Sequence, residues 1–531
     1  MGLLSDVLAQ GIPKLPTGIP GFDQIGNGGL PLGRSTLVTG TPGSAKTVFC
    51  AQFLAEGIRQ FEESGVFVTC EETPREISRN LRGFGWDIDT WVAEGKWAFI
   101  DATELLGEDT LVSGSFDFGG LMARIEYAVQ KSAAKRVAID SVGAMLMQFA
   151  QTDLVRREFG RLLRALREMN TTSVVTAERT EEYGSLSRCG IEEFVADNVI
   201  VLRNELEDEK RRRTIEILKY RGCPHHKGQY PFTVVPGQGI MIIPLSAMEL
   251  AQRSSMRRIS TGSAELDAMC GGGCFQDSVI LVSGATGTGK SLMASTFVAA
   301  GARSGQRSLL LAFEEGHDQI FRNASGWGFD FDQLEADGNL KVVCQYPETR
   351  GLEDHLIEIK RLIDEYHPQR IAIDSLSALE RVSSTKGYRE FLMGLTSTIK
   401  QHEIAGLYTS TTATLLGGES VTESHISTIP DSIILLRYVE IFGEMRRGLT
   451  VLKMRGSMHD KDIREFRIDG QGMHIGRPFR TVTGILSGNF TYVQGGELDR
   501  LATMFREDQP AETEAESESA SEPQKQGSNG S

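Results

Sequence analysis

Short apolar runs recur along this chain, each followed by a helical pattern, and the whole arrangement is written twice. Ser35-Thr-Leu-Val-Thr39 and Val279-Ile-Leu-Val-Ser283 read as buried strands. Val48-Phe-Cys-Ala-Gln-Phe-Leu and Leu292-Met-Ala-Ser-Thr-Phe-Val, a few residues later, read as helices. A second apolar run in each copy closes on two acids: Val66-Phe-Val-Thr-Cys70 before Glu71-Glu72, and Leu309-Leu-Leu-Ala-Phe313 before Glu314-Glu315. A third ends on an aspartate, Arg136-Val-Ala-Ile-Asp140 and Arg370-Ile-Ala-Ile-Asp374. A fourth begins on one, Asp197-Asn-Val-Ile-Val-Leu202 and Asp431-Ser-Ile-Ile-Leu-Leu436. The copies stand 244 residues apart early on and 234 apart from the third run onward, so they differ by one small loop change. Strands alternating with helices predict an α/β fold, with two tandem, mostly parallel sheets flanked by helices.

The repeat sets the boundaries. Residues 1–16 precede it, 17–244 and 259–488 are the two domains, opened by Thr17-Gly18 and Thr261-Gly262, and 245–258 is a polar linker. Each copy is long enough to bury its own core. In 489–506, Leu498, Leu501, Met504 and Phe505 fall on one helical face, a short amphipathic segment expected to pack on the core. Residues 507–531 have no large apolar side chain and are expected to be disordered.

With 40% hydrophobic residues and no run near the roughly 18 needed to span a bilayer, the chain reads as soluble, without membrane contact. The N-terminus has no basic signal-peptide region, which points to the cytoplasm. Seven cysteines, an odd number, argue against a disulfide framework, and Cys270-x3-Cys274 lacks a second ligand pair for zinc. A net charge of −15 repels nucleic-acid backbones. The basic triplet Arg211-Arg-Arg213 reads as a solvated strand end or turn rather than a DNA contact.

The chemistry lies between the first strand and the first helix of each copy. Gly40-Thr41-Pro42-Gly43-Ser44-Ala45-Lys46-Thr47 and Gly284-Ala285-Thr286-Gly287-Thr288-Gly289-Lys290-Ser291 are phosphate-binding loops, followed by Val48 and Leu292. Backbone N–H groups cradle phosphate oxygens, the lysine offsets β/γ charge, and the Thr47 or Ser291 hydroxyl reaches Mg²⁺. Ala45 stands where the pattern has glycine. A helix should begin near it, so a negative φ is expected there, with its methyl close to phosphate. At the strand ends, one acid of each Glu71-Glu72 and Glu314-Glu315 pair can polarise an attacking water or hydroxyl while the other, with Glu314 also a candidate, holds the metal. The competing reading is an acidic turn. Asp140 and Asp374 fit the Walker B carboxylate that anchors Mg²⁺ through its water shell.

The copies also diverge. Where the first has Glu192-Glu-Phe194, the second has Ile426-Ser427-Thr428. A hydroxyl near a γ-phosphate can replace water as acceptor, whereas Ser-Thr before a strand is more often turn chemistry. Lys219-Tyr220-Arg221, with His225 nearby, and Lys453-Met454-Arg455 each put two cations on one strand face with no acidic partner at that spacing, suited to reach a neighbouring subunit's phosphate.

Taken together these residues resemble the KaiC family, from about Thr17 to Gly488. The phrases Glu-Glu-Thr-Pro (71–74), Lys-Gly-Gln-Tyr-Pro-Phe-Thr (227–233), Ile-Asp-Ser-Leu-Ser-Ala-Leu (373–379), Glu-Ser-His-Ile-Ser-Thr-Ile (423–429) and Lys-Met-Arg-Gly-Ser (453–457) carry the resemblance. It implies two RecA-like P-loop NTPase domains stacked as a double-ring homohexamer, with ATP and Mg²⁺ held between subunits. It further implies a serine/threonine autokinase and autophosphatase in the second ring, serving circadian or hourglass timing. On this resemblance Ser427 and Thr428 match the phosphorylated pair and Thr422 an accessory phosphosite. Glu71 and Glu314 match catalytic glutamates, and Trp327 and Arg447 further nucleotide contacts. Ala45, Gly83 (where a serine meets nucleotide) and Pro430 depart from the family. So does the segment beyond Gly488, where the family's KaiA engages, so KaiA is not carried over as a partner. A KaiB-type protein on the first ring and a downstream histidine kinase or response regulator are the partners implied. Two other readings share the loops: a RecA-like DNA-dependent ATPase, against which the acidic charge speaks, and a nucleotide-gated scaffold with little turnover.

Overall fold

The computed structural model describes residues 11–103, 118–147, 149, 151–207, 210–244, 255–412, 426–441, 443–480, 482–486 and 491–492. Thr422, most of the linker, the amphipathic segment 489–506 apart from residues 491–492, and the tail 507–531 lie outside the described residues.

Each half is built on a nine-stranded sheet. In the first, β1 (Ser35–Gly40) leads through the phosphate loop into α1 (Lys46–Phe61). There follow β2 (Gly65–Thr69), β3 (Trp97–Asp101), α2 (Gly119–Ser132), β4 (Arg136–Asp140), α3 (Thr152–Glu168), β5 (Thr172–Glu178), β6 (Asn198–Glu207), β7 (Lys210–Tyr220), β8 (Gln229–Val235) and β9 (Gly239–Ile242). Their order is β9-β8-β7-β6-β1-β5-β4-β2-β3, parallel from β6 to β3 and antiparallel from β6 to β9.

The second half repeats this with β10 (Val279–Gly284), α4 (Lys290–Arg303), β11 (Ser308–Ala312), α5 (His317–Gly326), β12 (Leu340–Cys344), α6 (Leu352–Tyr366), β13 (Arg370–Asp374), α7 (Leu376–Arg381), α8 (Thr385–Gln401), β14 (Ala405–Thr411), β15 (Ser432–Ile441), β16 (Glu444–Met454), β17 (Arg464–Asp469) and β18 (Gly472–Pro478). Its order is β12-β11-β13-β14-β10-β15-β16-β17-β18. The α/β expectation holds in both halves.

The central strands are buried on both faces, which helices cover, and the residues they bury are mostly apolar, with small hydroxyl side chains between. In β1, Leu37 joins one buried cluster with Val66 and Ile139, while Val38 joins the other with Phe49 and Phe67. Thr17 and Thr261, which open the copies, each donate a hydroxyl hydrogen bond of 2.7 Å to Asp23 and Asp267. A buried arginine ties each opening loop to the sheet. Arg136 donates to the carbonyls of Pro16, Thr17 and Phe53, and Arg370 to those of Ser260 and Phe297.

The basic triplet is not a solvated strand end. All three arginines lie in β7, and Arg212 runs into the second half, where its guanidinium meets Glu353 of α6 and Glu390 of α8, each at 2.8 Å. Lys210 donates to the Arg350 carbonyl, and Thr233 of β8 bonds Asp354. Ile243, just past β9, packs into the second half's core with Leu356 and Phe391. The sequence reading failed here because the acids that hold Arg212 lie more than 140 residues downstream.

Candidate nucleotide sites and acceptor turn

Both phosphate loops leave the carboxyl end of a central strand and open a helix, where ligands collect in open α/β sheets. Ser44 and Thr288, at matching positions, fold back to donate to the Thr41 and Ala285 carbonyls. Lys46 lies over its loop, its ammonium donating to the Gly40 and Thr41 carbonyls, and Lys290 does the same to Ala285 at 2.9 Å. Burial holds both ammonium pKa values below the usual lysine value, against the pull of Asp140 on one and Asp374 on the other.

Ala45 corrects the expected backbone. Its φ is +70°, the left-handed region, and Gly289 at the matching place has φ +109°. The chain must reverse its curvature to enter the helix, and the residue before the lysine makes that turn in both halves. Ala45 adopts it within the small left-handed basin open to L-residues. Gly289 sits outside that basin, and a Cβ there would come within 2.8 Å of Ile468 Cδ1.

In the second half, a cleft of about 330 Å³ is lined by Thr286, Gly287, Gly289–Leu292, Glu314, Glu315, Asn323, Trp327, Asp374, Ser375, Thr411 and Ile468. It gathers the loop, both acids, the aspartate and the tryptophan. Ser291 and Thr409 hydrogen-bond the Asp374 carboxylate. Burial raises the Asp374 pKa, and those hydrogen bonds and Lys290 oppose the rise. Glu315 is also raised, by burial first and by the Asp374 charge second, and accepts from Asn323 at 2.9 Å. Glu314 accepts from Ser375 at 3.0 Å and from Arg381 at 2.6 Å. In the first half Glu71 accepts from Ser141 at 2.8 Å, Glu72 from Asn80 at 2.7 Å, and Asp140 from Thr176. A hydroxyl beside a carboxylate at a phosphate loop, with further carboxylates around it, is a hard oxygen donor set that fits Mg²⁺.

The sequence reading missed the serines that hold the catalytic-type glutamates, although the repeated Asp-Ser of Asp140-Ser141 and Asp374-Ser375 was a signal. It also missed Arg381, whose position in the first half is held by Met147. Arg447 of β16 approaches the Gly287 carbonyl at 3.5 Å and lies over the Tyr438 ring.

Ser427 and Thr428 form a short 3₁₀ turn with Ile426, with Ser427 half-buried and Thr428 exposed. This turn is not part of the cleft. It precedes β15 at the amino end of the sheet, whereas the phosphate loop follows β10 at the carboxyl end; Ser432 sits beside Ile280 and Leu436 beside Gly284. The two are at least about 15 Å apart along the strands.

The matched cations gather at that amino end. Lys453 donates to the Ser427 and Pro430 carbonyls, and Arg455 to that of Thr428. Lys219 grips the Glu193 and Ala196 carbonyls in the same way. The expectation that these cations lack an acidic partner is overturned. Asp431 lies 3.6 Å from Arg455 and Asp197 3.6 Å from Arg221, supplied by the start of the neighbouring strand, and Lys400 of α8 also binds Asp431 at 2.9 Å. Tyr220 and Met454 turn into the core, and Arg221 lies beyond β7. His225 packs on Tyr220, its pKa lowered by burial.

All seven cysteines are free thiols. Among the described residues no three or more His, Cys, Asp or Glu side chains are grouped to hold a metal ion by themselves, and no helix is long and apolar enough to cross a membrane.

Two central-strand phosphate loops, each with an acid pair and a strand-end aspartate, define a tandem RecA-like P-loop protein. The sequence profile described as "ATPase: KaiC" matches residues 15–247 and again 259–479. The chain is similar to the circadian clock protein KaiC3 of Synechocystis sp., 62% identical over 502 residues that cover 94% of this chain and 99% of that protein. It is 53% identical to the circadian clock oscillator protein KaiC of Synechococcus elongatus, over 94% of this chain and 95% of that one. To the protein of the same name from Parathermosynechococcus lividus it is 52% identical, over 95% and 93%. The chain belongs to the KaiC family, whose ATPase domain it carries twice, and that domain implies nucleotide binding.

Proposed function

We propose that this chain is a magnesium-dependent ATPase and autokinase. Its second domain transfers the γ-phosphoryl group of ATP to Ser427 and Thr428 of a neighbouring chain and can reverse the step, and its first domain hydrolyses ATP. One observation carries the reading: the acceptor turn and the phosphate loop occupy opposite ends of one sheet, so hydroxyl and triphosphate meet when two chains pack end against end, as in a ring. Thr47 with Asp140 and Ser291 with Asp374 would hold Mg²⁺, which screens phosphate charge when bound.

In the transfer the acceptor oxygen bonds to the γ-phosphorus, the bond to the β,γ-bridging oxygen breaks, and ADP leaves. The hydroxyl proton passes to Glu314, held in place by Ser375. Lys290 offsets charge on the phosphate oxygens. Lys453 and Arg455 fix the turn through its carbonyls, and Lys453, with two of its three N–H groups so used, keeps one for the incoming phosphate. The relatives' names as circadian clock proteins support a timing role; an hourglass mode of timing and a KaiB-type partner on the first domain belong to the same proposal.

Mixing two variants tests the transfer. Lys290→Ala chains keep the acceptors and lose second-site chemistry, while chains with Ser427→Ala and Thr428→Ala do the reverse. With γ-labelled ATP, the mixture is expected to label residues 422–428 of the Lys290→Ala chains. Assembled, ATP-hydrolysing mixtures with no label there would refute the reading.

A further inference from the structure

Among the described residues, the buried guanidinium of Arg437 in β15 has no counter-ion. The residue is 4% exposed, and its Nε and Nη1 are shut from solvent with no hydrogen-bond partner. Burial alone shifts its pKa, downward, and among the described residues no carboxylate pairs with it. Taking an unpaired cation out of water is costly enough that folded proteins rarely do so without a partner.

The first half shows what such a partner looks like. Arg203, at the matching place on β6, faces Glu216 at 2.7 Å and Glu205 at 4.0 Å beneath the Tyr183 ring, so its charge is paired although its Nε and Nη1 make no aligned hydrogen bond. Glu216 stands opposite Val201, and in the second half the residue opposite Leu435 is Thr450. Glu205 lies two residues beyond Arg203, and two beyond Arg437 is Val439. Both carboxylates are gone and the arginine stays.

A second group at this place is also unsatisfied. Thr412 follows β14 as Arg179 follows β5, and each gives its backbone N–H to the first glycine of the phosphate loop, Gly284 or Gly40. Arg179 and Arg203 are near enough for their charges to interact. The matching pair is Thr412 and Arg437, and the buried Thr412 hydroxyl has no hydrogen-bond partner among the described residues. By this correspondence the guanidinium N–H groups and the hydroxyl belong to one place with no acceptor among the described residues, which calls for a compact, negatively charged acceptor with several oxygens.

We propose that Arg437 and Thr412 form an oxyanion site on the far side of β10 from the phosphate-loop helix, and that it takes a phosphate-type group. That group is either free inorganic phosphate or a phosphoryl group carried by the protein itself. The free-phosphate source stands apart from the autokinase reading; the second source rests on it.

The test uses full-length protein with saturating nucleotide, melted across a series of inorganic phosphate at constant ionic strength. The wild type is expected to show a saturable rise in melting temperature. Arg437→Gln should need about tenfold or more phosphate for the same rise, and Arg437→Lys should fall between. Gln removes a charge that has no partner, so the variant is expected to fold. Dephosphorylated and ATP-treated protein are then compared. Loss of the response after ATP treatment of wild type assigns the site to the protein's own phosphoryl group; an equal response in both states assigns it to free phosphate. Identical curves for wild type and Arg437→Gln in both states would overturn the proposal. So would a phosphate-insensitive wild type whose Arg437→Gln variant falls out of its assembled state, which would place a neighbour's carboxylate on the guanidinium.

Discussion

The residue before the phosphate-loop lysine offers a sharp test of the two sites, because the same position is alanine in one and glycine in the other. Ala45 holds φ +70° and Gly289 φ +109°, so Gly289→Ala forces a side chain outside the left-handed basin, where strain costs about 1–3 kcal/mol. The new Cβ also meets Ile468 Cδ1 at 2.8 Å. That atom ends a flexible side chain that can turn aside, so the clash adds little to the strain, but Ile468 lines the cleft and its movement narrows the space beside the loop. Ala45→Gly is the mirror experiment. Relief of about 1–2 kcal/mol of left-handed strain is offset by the larger unfolded-state entropy of glycine and the loss of a half-buried methyl, leaving a change within about 1 kcal/mol. Melting curves, in which a domain of this size shifts by about 2–4 °C per kcal/mol, and titration with a fluorescent ATP analogue are the assays. Gly289→Ala is expected to lower the second domain's melting temperature and weaken its nucleotide binding, with Ala45→Gly near neutral in both. A Gly289→Ala protein as stable as wild type with unchanged affinity would refute the reasoning.

Glu315→Gln should raise the melting temperature of magnesium-free protein at about pH 8 while weakening magnesium-dependent phosphoryl transfer at the second site, because burial penalises the charged form and lifts its folded-state pKa. The penalty is fully present above that raised value and lost as pH falls to the unfolded carboxylate range, so the variant's advantage should vanish there. A constant advantage across pH would count against burial as the cause. Arg212→Ala should cost about 1–3 kcal/mol by leaving Glu353 and Glu390 together, and should split one thermal transition into two; Arg212→Met, which keeps the packing, should split it as well. A single unshifted transition in calorimetry would mean the seam is held elsewhere.

Much of this architecture was legible because it is repeated. Each strand that carries chemistry is a short, largely buried run ending in a named acid or glycine, and recurrence at nearly the same offset separated signal from accident. The loop, the two acids and the aspartate of the cleft followed from that, whereas Trp327 came with the resemblance and Asn323, Ser375, Thr411 and Ile468 came from the structure. What stayed hidden depended on contacts remote in sequence: Arg212 against Glu353 and Glu390, Arg381 on Glu314, and the aspartates beside Arg221 and Arg455. The φ of Ala45 was misjudged for a local reason, since the helix begins one residue after the turn that aims it. The acceptor turn was readable only as ordinary turn chemistry until the resemblance gave its hydroxyls a meaning. Its place at the far end of the sheet came from the structure.

Helix α8 has its two ends fastened to different parts of the molecule. Near its start Glu390 is held by an arginine of the first domain, and near its finish Lys400 holds the aspartate that braces Arg455 beside Thr428. Ten residues of helix, about 15 Å of stiff rod, connect those anchors. A tilt of one domain against the other would be carried along that rod to the turn that holds Ser427 and Thr428, with no diffusing messenger between them.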